Sequence, residues 1–212
     1  MFDILKTKDG SDTVFSKQYN ATYHSIHGAV RESNHVFIEN GLRVAILKFD
    51  SVSILEIGLG TALNLFLTLK ELSDKPIRYT AIEKFPLSED IYSNLSYAKE
   101  EGFIHVHQLA WNKKVEVKEG FVIEKINSDF LDFKSNEIYN LVYLDAFAPT
   151  TQNELWQVEV LQKIFHMMAP QGILVTYCAK GELKRNLKSV GFIVETLPGP
   201  PRKREMTRAI RP

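Results

Sequence analysis

Four carboxylates, Glu56, Glu83, Asp129 and Asp145, are spread through the middle of the chain, at or just past runs of strand-forming residues. Groups so placed can accept hydrogen bonds from hydroxyls and amines, or balance a cation. Glu56 opens Glu56-Ile-Gly-Leu-Gly-Thr61, a glycine pair behind the strand-like Ser53–Ile57 and ahead of the apolar, helix-like Ala62–Leu72. A strand, a tight glycine turn and a helix start form the first unit of a nucleotide-binding βαβ fold. Gly58 and Gly60 would let backbone approach a ligand that any Cβ would strike.

The third glycine of the dinucleotide pattern is missing, because Leu63 stands in its place. That glycine serves close helix packing beside a pyrophosphate. S-adenosylmethionine (SAM) has no phosphate; it carries an α-ammonium, a sulfonium and a ribose diol. Glu56 at the loop entrance suits SAM, and Glu83, ending the strand Ile77–Ile82, suits the two ribose hydroxyls. SAM is therefore expected rather than a nicotinamide dinucleotide.

Asp145, in Asp145-Ala-Phe-Ala-Pro149, follows the most strand-like run of the chain, Tyr139–Leu144. An acid with an aromatic residue and a proline behind it resembles the amine-binding corner of N-methyltransferases. Methyl transfer is an in-line displacement, so an acid that holds an amine N–H can aim the lone pair. A carboxylate also favours the unreactive ammonium. Asp145 is accordingly expected to orient the amine, with the proton leaving to water. Phe147 would either stack on a planar base or pack in the core.

These residues need a frame to bring them together. The pattern predicts a helix from Ser88, as N-cap, to about Glu101, a short strand at His105–His107, and a hairpin of Lys114–Lys118 with Phe121–Ile126. After Tyr139–Leu144 it predicts a helix capped by Asn153 through about Met168, a strand Gly172–Tyr177 and a helix Gly181–Val190. Strands Phe192–Leu197 and Glu205–Ile210 close the sheet. Such alternation predicts an α/β fold with a mostly parallel sheet, helices on both faces and one antiparallel strand. Parallel sheets bind ligands at the carboxyl ends of their strands, which would gather the four carboxylates on one side. Residues 51–212 would form this domain. Residues 1–50 would be an appendage on it, with a β-hairpin turning at Asp9-Gly10, the aromatic and polar Tyr19–Gly28, and a helix Ala29–Asn40. It would serve either as a lid over the cleft or as N-terminal padding.

Composition narrows the function classes. Cys178 is the only cysteine, so a disulfide or a cysteine zinc site within one chain is excluded, and the thiol is expected in the core. The six histidines follow no metal-binding pattern, and no metal is expected. The chain has no apolar stretch long enough to cross a bilayer and no basic-then-apolar leader, so a cytosolic location away from membranes is expected. A net charge of zero hides an asymmetry, since nine basic residues but only three acidic ones follow Ala179. The proline-stiffened turn Gly199-Pro-Pro-Arg-Lys-Arg204 presents Arg202, Lys203 and Arg204 together, which suits phosphate contacts that weaken with salt. Lys184 and Arg185 could extend this surface. A competing reading makes the turn part of the fold, with Arg204 pairing a carboxylate beside the cleft.

Several segments in combination are similar to one family: Tyr23-His-Ser-Ile-His-Gly-Ala29, Glu32-Ser-Asn-His-Val-Phe-Ile38, Glu56–Thr61, Glu83-Lys-Phe-Pro-Leu87, Asp145–Pro149, Glu154-Leu-Trp156 and Gly199–Met206. They resemble the tRNA 5-aminomethyl-2-thiouridine methyltransferases, which comprise the methyltransferase half of bifunctional MnmC and its stand-alone relatives. The resemblance implies a Rossmann-like SAM-dependent methyltransferase that turns the 5-aminomethyl group of a tRNA wobble uridine into 5-methylaminomethyl. It also implies that Glu56, Gly58 and Gly60 line the cofactor loop and that Glu83 takes the ribose. Asp129, with Ser128 beside it, would take the adenine amino group, and Asp145 would meet the substrate amine. At 212 residues the chain would hold no fused oxidase domain. Ala62 departs from the family, which often has glycine there. Two other functions stay open: a methyltransferase for a small free amine, which would not need the basic segment, and a non-catalytic SAM- or RNA-binding module.

Overall fold

A computed structural model describes residues 2–71 and 73–212. The hairpin expected at the N-terminus pairs β1 (Phe2–Lys6) with β2 (Asp12–Ser16), and a two-residue β3 (Ala21–Thr22) joins them. Ala29–Ser33, Asn34–Leu42 and Arg43–Lys48 then run on as one helix whose middle is wound as π-helix.

The main sheet is built from β4 (Val52–Ile57), β5 (Ile77–Glu83), β6 (Lys114–Lys118), β7 (Phe121–Asn127), β8 (Tyr139–Leu144), β9 (Met168–Thr176), β10 (Ile193–Pro198) and β11 (Glu205–Ile210). In space the order is β10-β11-β9-β8-β4-β5-β7-β6. Pairings of β4 with β5 and β8, of β5 with β7 and of β8 with β9 are parallel. β11 is antiparallel to β10, as expected for strands joined without a helix, and also to β9. The outer strand of the hairpin, β6, adds a second antiparallel member. All six residues of β4 are buried, the mark of a central strand covered on both faces.

Alternation along the strands sorts the core into two halves. Ile54, Leu141, Tyr143 and Val175 point to one face, where they pack against Phe37, Leu42 and Leu65. Leu55, Val142, Leu144 and Leu174 point to the other, under Leu161 and Ile164 of the helix Val158–Met167 and Leu187 of the helix Gly181–Val190. Residues 29–48 are thus a covering layer of the sheet itself. Among the described residues, no helix is long and apolar enough to cross a membrane.

Three expected elements differ. The Ser88–Glu101 helix is broken into a turn of α-helix at Glu89–Tyr92 and a 3-10 turn at Ser96–Lys99. Asp12 of the N-terminal hairpin takes the Ser96 N–H at 2.6 Å, an interaction no local pattern encodes. Ser88 sits at the N-cap position but makes no side-chain cap bond. His105–His107 lies within a helix, Phe103–Gln108, because Phe103 and Val106 bury at helical spacing while His107 stacks on Tyr92. Three residues are too few to tell period 2 from period 3.6. The Asn153–Met168 helix splits at extended Gln157 into a 3-10 turn, Asn153–Trp156, and the helix Val158–Met167. The turn is held by Trp156 Nε1 donating to the Phe147 carbonyl at 2.8 Å. The expected helix after the glycine loop spans Leu63–Lys70, and Leu72, its anticipated end, lies outside the described residues.

Candidate active site

Where β4 ends, the chain turns over the carboxyl edge of the sheet. Gly58 and Leu59 N–H both donate to the Ile82 carbonyl of β5, at 3.1 and 3.2 Å. Gly58 has φ +91°, and a Cβ there would stand 2.7 Å from the Asp145 carbonyl oxygen. Gly60 has φ +53°, and its Cβ would stand 2.7 Å from the Tyr23 ring. The turn is therefore clamped between the end of β8 and the N-terminal segment, and both positions require glycine. Ala62 follows with φ 57°, a conformation glycine adopts freely and alanine at about 1 kcal/mol.

A cleft of about 700 Å³ opens over this turn. Gly58, Gly60, Glu83, Ser128, Asp129, Asp145 and Phe147 line it, so seven residues singled out in the sequence converge. Glu83 is fixed by two backbone N–H groups, from Gly60 at 2.9 Å and Phe85 at 2.8 Å. Burial nevertheless lifts its carboxyl above the usual range, the backbone bonds offsetting only part of that. A carboxylate has lone pairs beyond these two bonds, so Glu83 can still accept from a diol. Asp129 is held by the Leu131 N–H at 2.9 Å and by Lys84 Nζ at 2.8 Å. Burial works against its charge, but these bonds outweigh it and leave the carboxyl below the ordinary range. Ser128 N–H donates to the Glu83 carbonyl at 3.1 Å, tying the end of β7 to that of β5.

Asp145 stands at the end of β8, beside the glycine turn, its N–H bonded to the Ile57 carbonyl at 3.1 Å. Burial raises its carboxyl well above the ordinary aspartate range; a bond from Asn64 Nδ2 at 2.7 Å and the nearby Lys203 pull it down, and Glu32 pushes it up. Phe147 forms a wall with two aromatic rings from the N-terminal segment. Tyr19 stacks on it at 4.6 Å between centroids, and Tyr23 meets it edge-on at 5.0 Å. Neither tyrosine is singled out as a site residue by the sequence, and the signals were the aromatic richness of Tyr19–Gly28 and, for Tyr23, its place at the head of a segment similar to the family. His24 packs beneath them, bonded to Thr61 Oγ1 at 2.6 Å, and burial lowers its pKa to about 4, so it is neutral.

Two expectations about position need correction. Glu56 does not line the cleft: it is fully buried in β4 beneath the turn, bonded to Asn64 Nδ2 at 3.1 Å. An acid two residues before the glycine shares the face of Ile54, which is covered by Phe37, Leu42 and Leu65, because side chains alternate along a strand. Nor do Arg202, Lys203 and Arg204 form one outward cluster. Lys203 turns inward to an ion pair with buried Glu32, and its ammonium lies 4.6 Å from the Tyr177 ring centroid. It is thus Lys203, and not Arg204, that pairs a carboxylate beside the cleft. Arg202, which adopts φ 73°, and Arg204 are exposed, and Lys184 pairs with Glu205 at 2.6 Å. Among the described residues no cluster of histidine, cysteine or acid is arranged for a metal ion, and Cys178 is buried.

A mostly parallel sheet with a glycine turn, three carboxylates and an aromatic wall at its carboxyl edge defines a nucleoside-binding enzyme of the Rossmann-like kind. The chain belongs to the S-adenosyl-L-methionine-dependent methyltransferase family whose model matches residues 84–212. It is 28% identical over 218 residues to the tRNA 5-methylaminomethyl-2-thiouridine biosynthesis bifunctional protein MnmC of Ralstonia nicotianae, covering 94% of this chain and 33% of that protein. Identity to the protein of the same name from Leptospira interrogans is 30%, over 92% of this chain and 33% of the relative. The chain thus spans about a third of the length of these curated relatives. The crystal structure of MNMC2 from Aquifex aeolicus superposes with a TM-score of 0.84 at 26% identity, covering 99% of this chain and 69% of that one. SAM is the cofactor of this family, and the residues present fit it. The turn tolerates no Cβ at two points, and the carboxylates of Glu83 and Asp129 stand on the cleft wall.

Proposed function

We propose that this chain methylates the 5-aminomethyl group of a (2-thio)uridine at the tRNA wobble position. The observation that carries the reading is Asp145, a half-buried carboxylate in the same cleft as the glycine turn, with the Phe147 aromatic wall beside it. The names of the relatives supply the substrate class.

In this reading Gly58, Gly60 and Glu83 hold the ribose side of SAM, and Ser128 and Asp129 its adenine. When bound, SAM supplies an electrophilic methyl group on a sulfonium. Asp145 accepts an N–H of the substrate amine and fixes its direction. Burial makes Asp145 more basic than an exposed aspartate, so it can also take the proton that the ammonium must lose before its lone pair is free. The product is a secondary ammonium, and one proton passes from Asp145 to solvent in each cycle. Tyr19, Tyr23 and Phe147 offer faces for a planar base. Of residues 1–50, only the segment around Tyr19 and Tyr23 acts as a lid over the cleft.

The tRNA backbone is met by Arg202 and Arg204, with Lys180, Arg185 and Lys188 continuing the exposed positive surface. Replacing Arg202 and Arg204 by Gln is expected to lower the log–log salt slope of tRNA binding by about two, with SAM affinity kept. An unchanged slope would remove them from the interface.

Incubating the protein with SAM and tRNA bearing 5-aminomethyluridine, followed by nucleoside mass analysis, tests the function. A gain of one methyl at that nucleoside is expected. Transfer to free small amines with none to tRNA would favour the small-amine reading.

A further inference from the structure

Behind Asp145 lies a second, sealed carboxyl. Glu56 is 0% exposed, and Asn64, on the helix Leu63–Lys70, is 2% exposed. The one side-chain nitrogen of Asn64 donates to both acids, to Glu56 Oε1 at 3.1 Å and to Asp145 Oδ2 at 2.7 Å. An amide nitrogen has two hydrogens, so both are committed, and the amide orientation follows because its oxygen in that place would repel the ionised Asp145. Glu56 Oε2 and Asn64 Oδ1 are buried with no hydrogen-bond partner among the described residues. Asp145 lines the cleft, and no donor among the described residues bonds its Oδ1.

We propose that Asn64 is a positioning residue for methyl transfer, spanning Glu56 and Asp145 so that Asp145 Oδ2 is held and Oδ1 is left to receive the amine N–H. Glu56 is the acid that keeps its proton, because burial and then the neighbouring Asp145 hold its carboxyl well above the usual range, against the nearby Tyr79 hydroxyl and the Asn64 amide, which favour its charged form. Asp145, at the cleft wall, is the acid that ionises. The Asn64 bond favours that ionised form, opposing the burial that disfavours it. A carboxylate left without this bond would rotate freely and stay protonated to higher pH.

This inference rests on the amine-methylating reading of the cleft. The test measures methyl transfer to 5-aminomethyluridine tRNA against pH for wild type, Asn64→Leu, Asp145→Asn and the double variant. Asn64→Leu is expected to lower kcat about 30-fold, with KM for tRNA within about threefold, as for loss of a charge-assisted hydrogen bond used in the transition state. The acid limb of its profile should move upward. In the Asp145→Asn background the same change should cost less than about threefold, because its route is gone. A loss equally large in both backgrounds would overturn the proposal and make Asn64 a purely structural residue. If circular dichroism shows Asn64→Leu unfolded, Asn64→Ser takes its place with the same two outcomes. A wild type that transfers methyl to no aminomethyl tRNA overturns the functional reading and this role with it. Additive losses in an active enzyme overturn this role alone.

Discussion

Asp145→Asn is expected to lower turnover by about 100-fold or more while altering SAM affinity far less, the pattern of an interaction made mainly in the transition state. The amide is the same size, but it neither takes a proton nor favours the amine orientation that presents a lone pair. The pH profile sharpens the test. Burial holds the Asp145 carboxyl above its ordinary range, so the wild type should lose kcat/KM as pH falls through that raised value and the acid becomes protonated. The Asn64 bond and Lys203 limit how far the limb is displaced. Asp145→Asn has no such group and should show no limb from it. Turnover within threefold of wild type would assign the amine to another side chain.

Gly58→Ala should damage the cofactor site by a different route. The new methyl would lie 2.7 Å from the Asp145 carbonyl oxygen, a backbone atom that cannot swing away. With φ at +91°, the residue is strained as well. The turn must shift away from β8, and SAM affinity is expected to fall about 100-fold, or about 3 kcal/mol by calorimetry. Gly102→Ala supplies the control, because Gly102 has φ +88° but nothing within 4 Å of the added carbon. It should lose stability and keep SAM affinity. If Gly58→Ala binds SAM like Gly102→Ala, the turn does not hold the cofactor.

Much of the frame was legible from local chemistry. The bounds of β8 are legible because five apolar or β-forming residues, Tyr139, Leu141, Val142, Tyr143 and Leu144, lead to an acid followed within four residues by proline. The helix Gly181–Val190 was equally plain, having one apolar stripe and a glycine at its C-terminal end with φ +112°. The segment Ser88–Gln108 defies a local reading because its apolar residues Tyr92, Leu95, Tyr97 and Phe103, with Leu87 just before it, fill a satellite core shared with Val14 and Phe66. Their spacing answers to that shared core and not to one helix.

The sequence by itself determined the parallel sheet, the glycine turn at the end of β4 and the ends of strands where Glu83, Asp129 and Asp145 stand. The turn and the strand ends follow from periodicity and turn chemistry over ten residues or fewer, and the parallel sheet from the alternation of strands with helices along the chain. Only the tertiary structure decided which charges reach the cleft. Glu56 and Lys203 look alike on paper to Glu83 and Arg204, yet strand alternation buries one and a carboxylate 171 residues away turns the other inward. Tyr19 and Tyr23 become cleft walls only because Gly60 leaves room for the Tyr23 ring and Phe147 supplies a face for both. A side chain's exposure depends on what folds over it, and that information is held in the distant residues that do the folding.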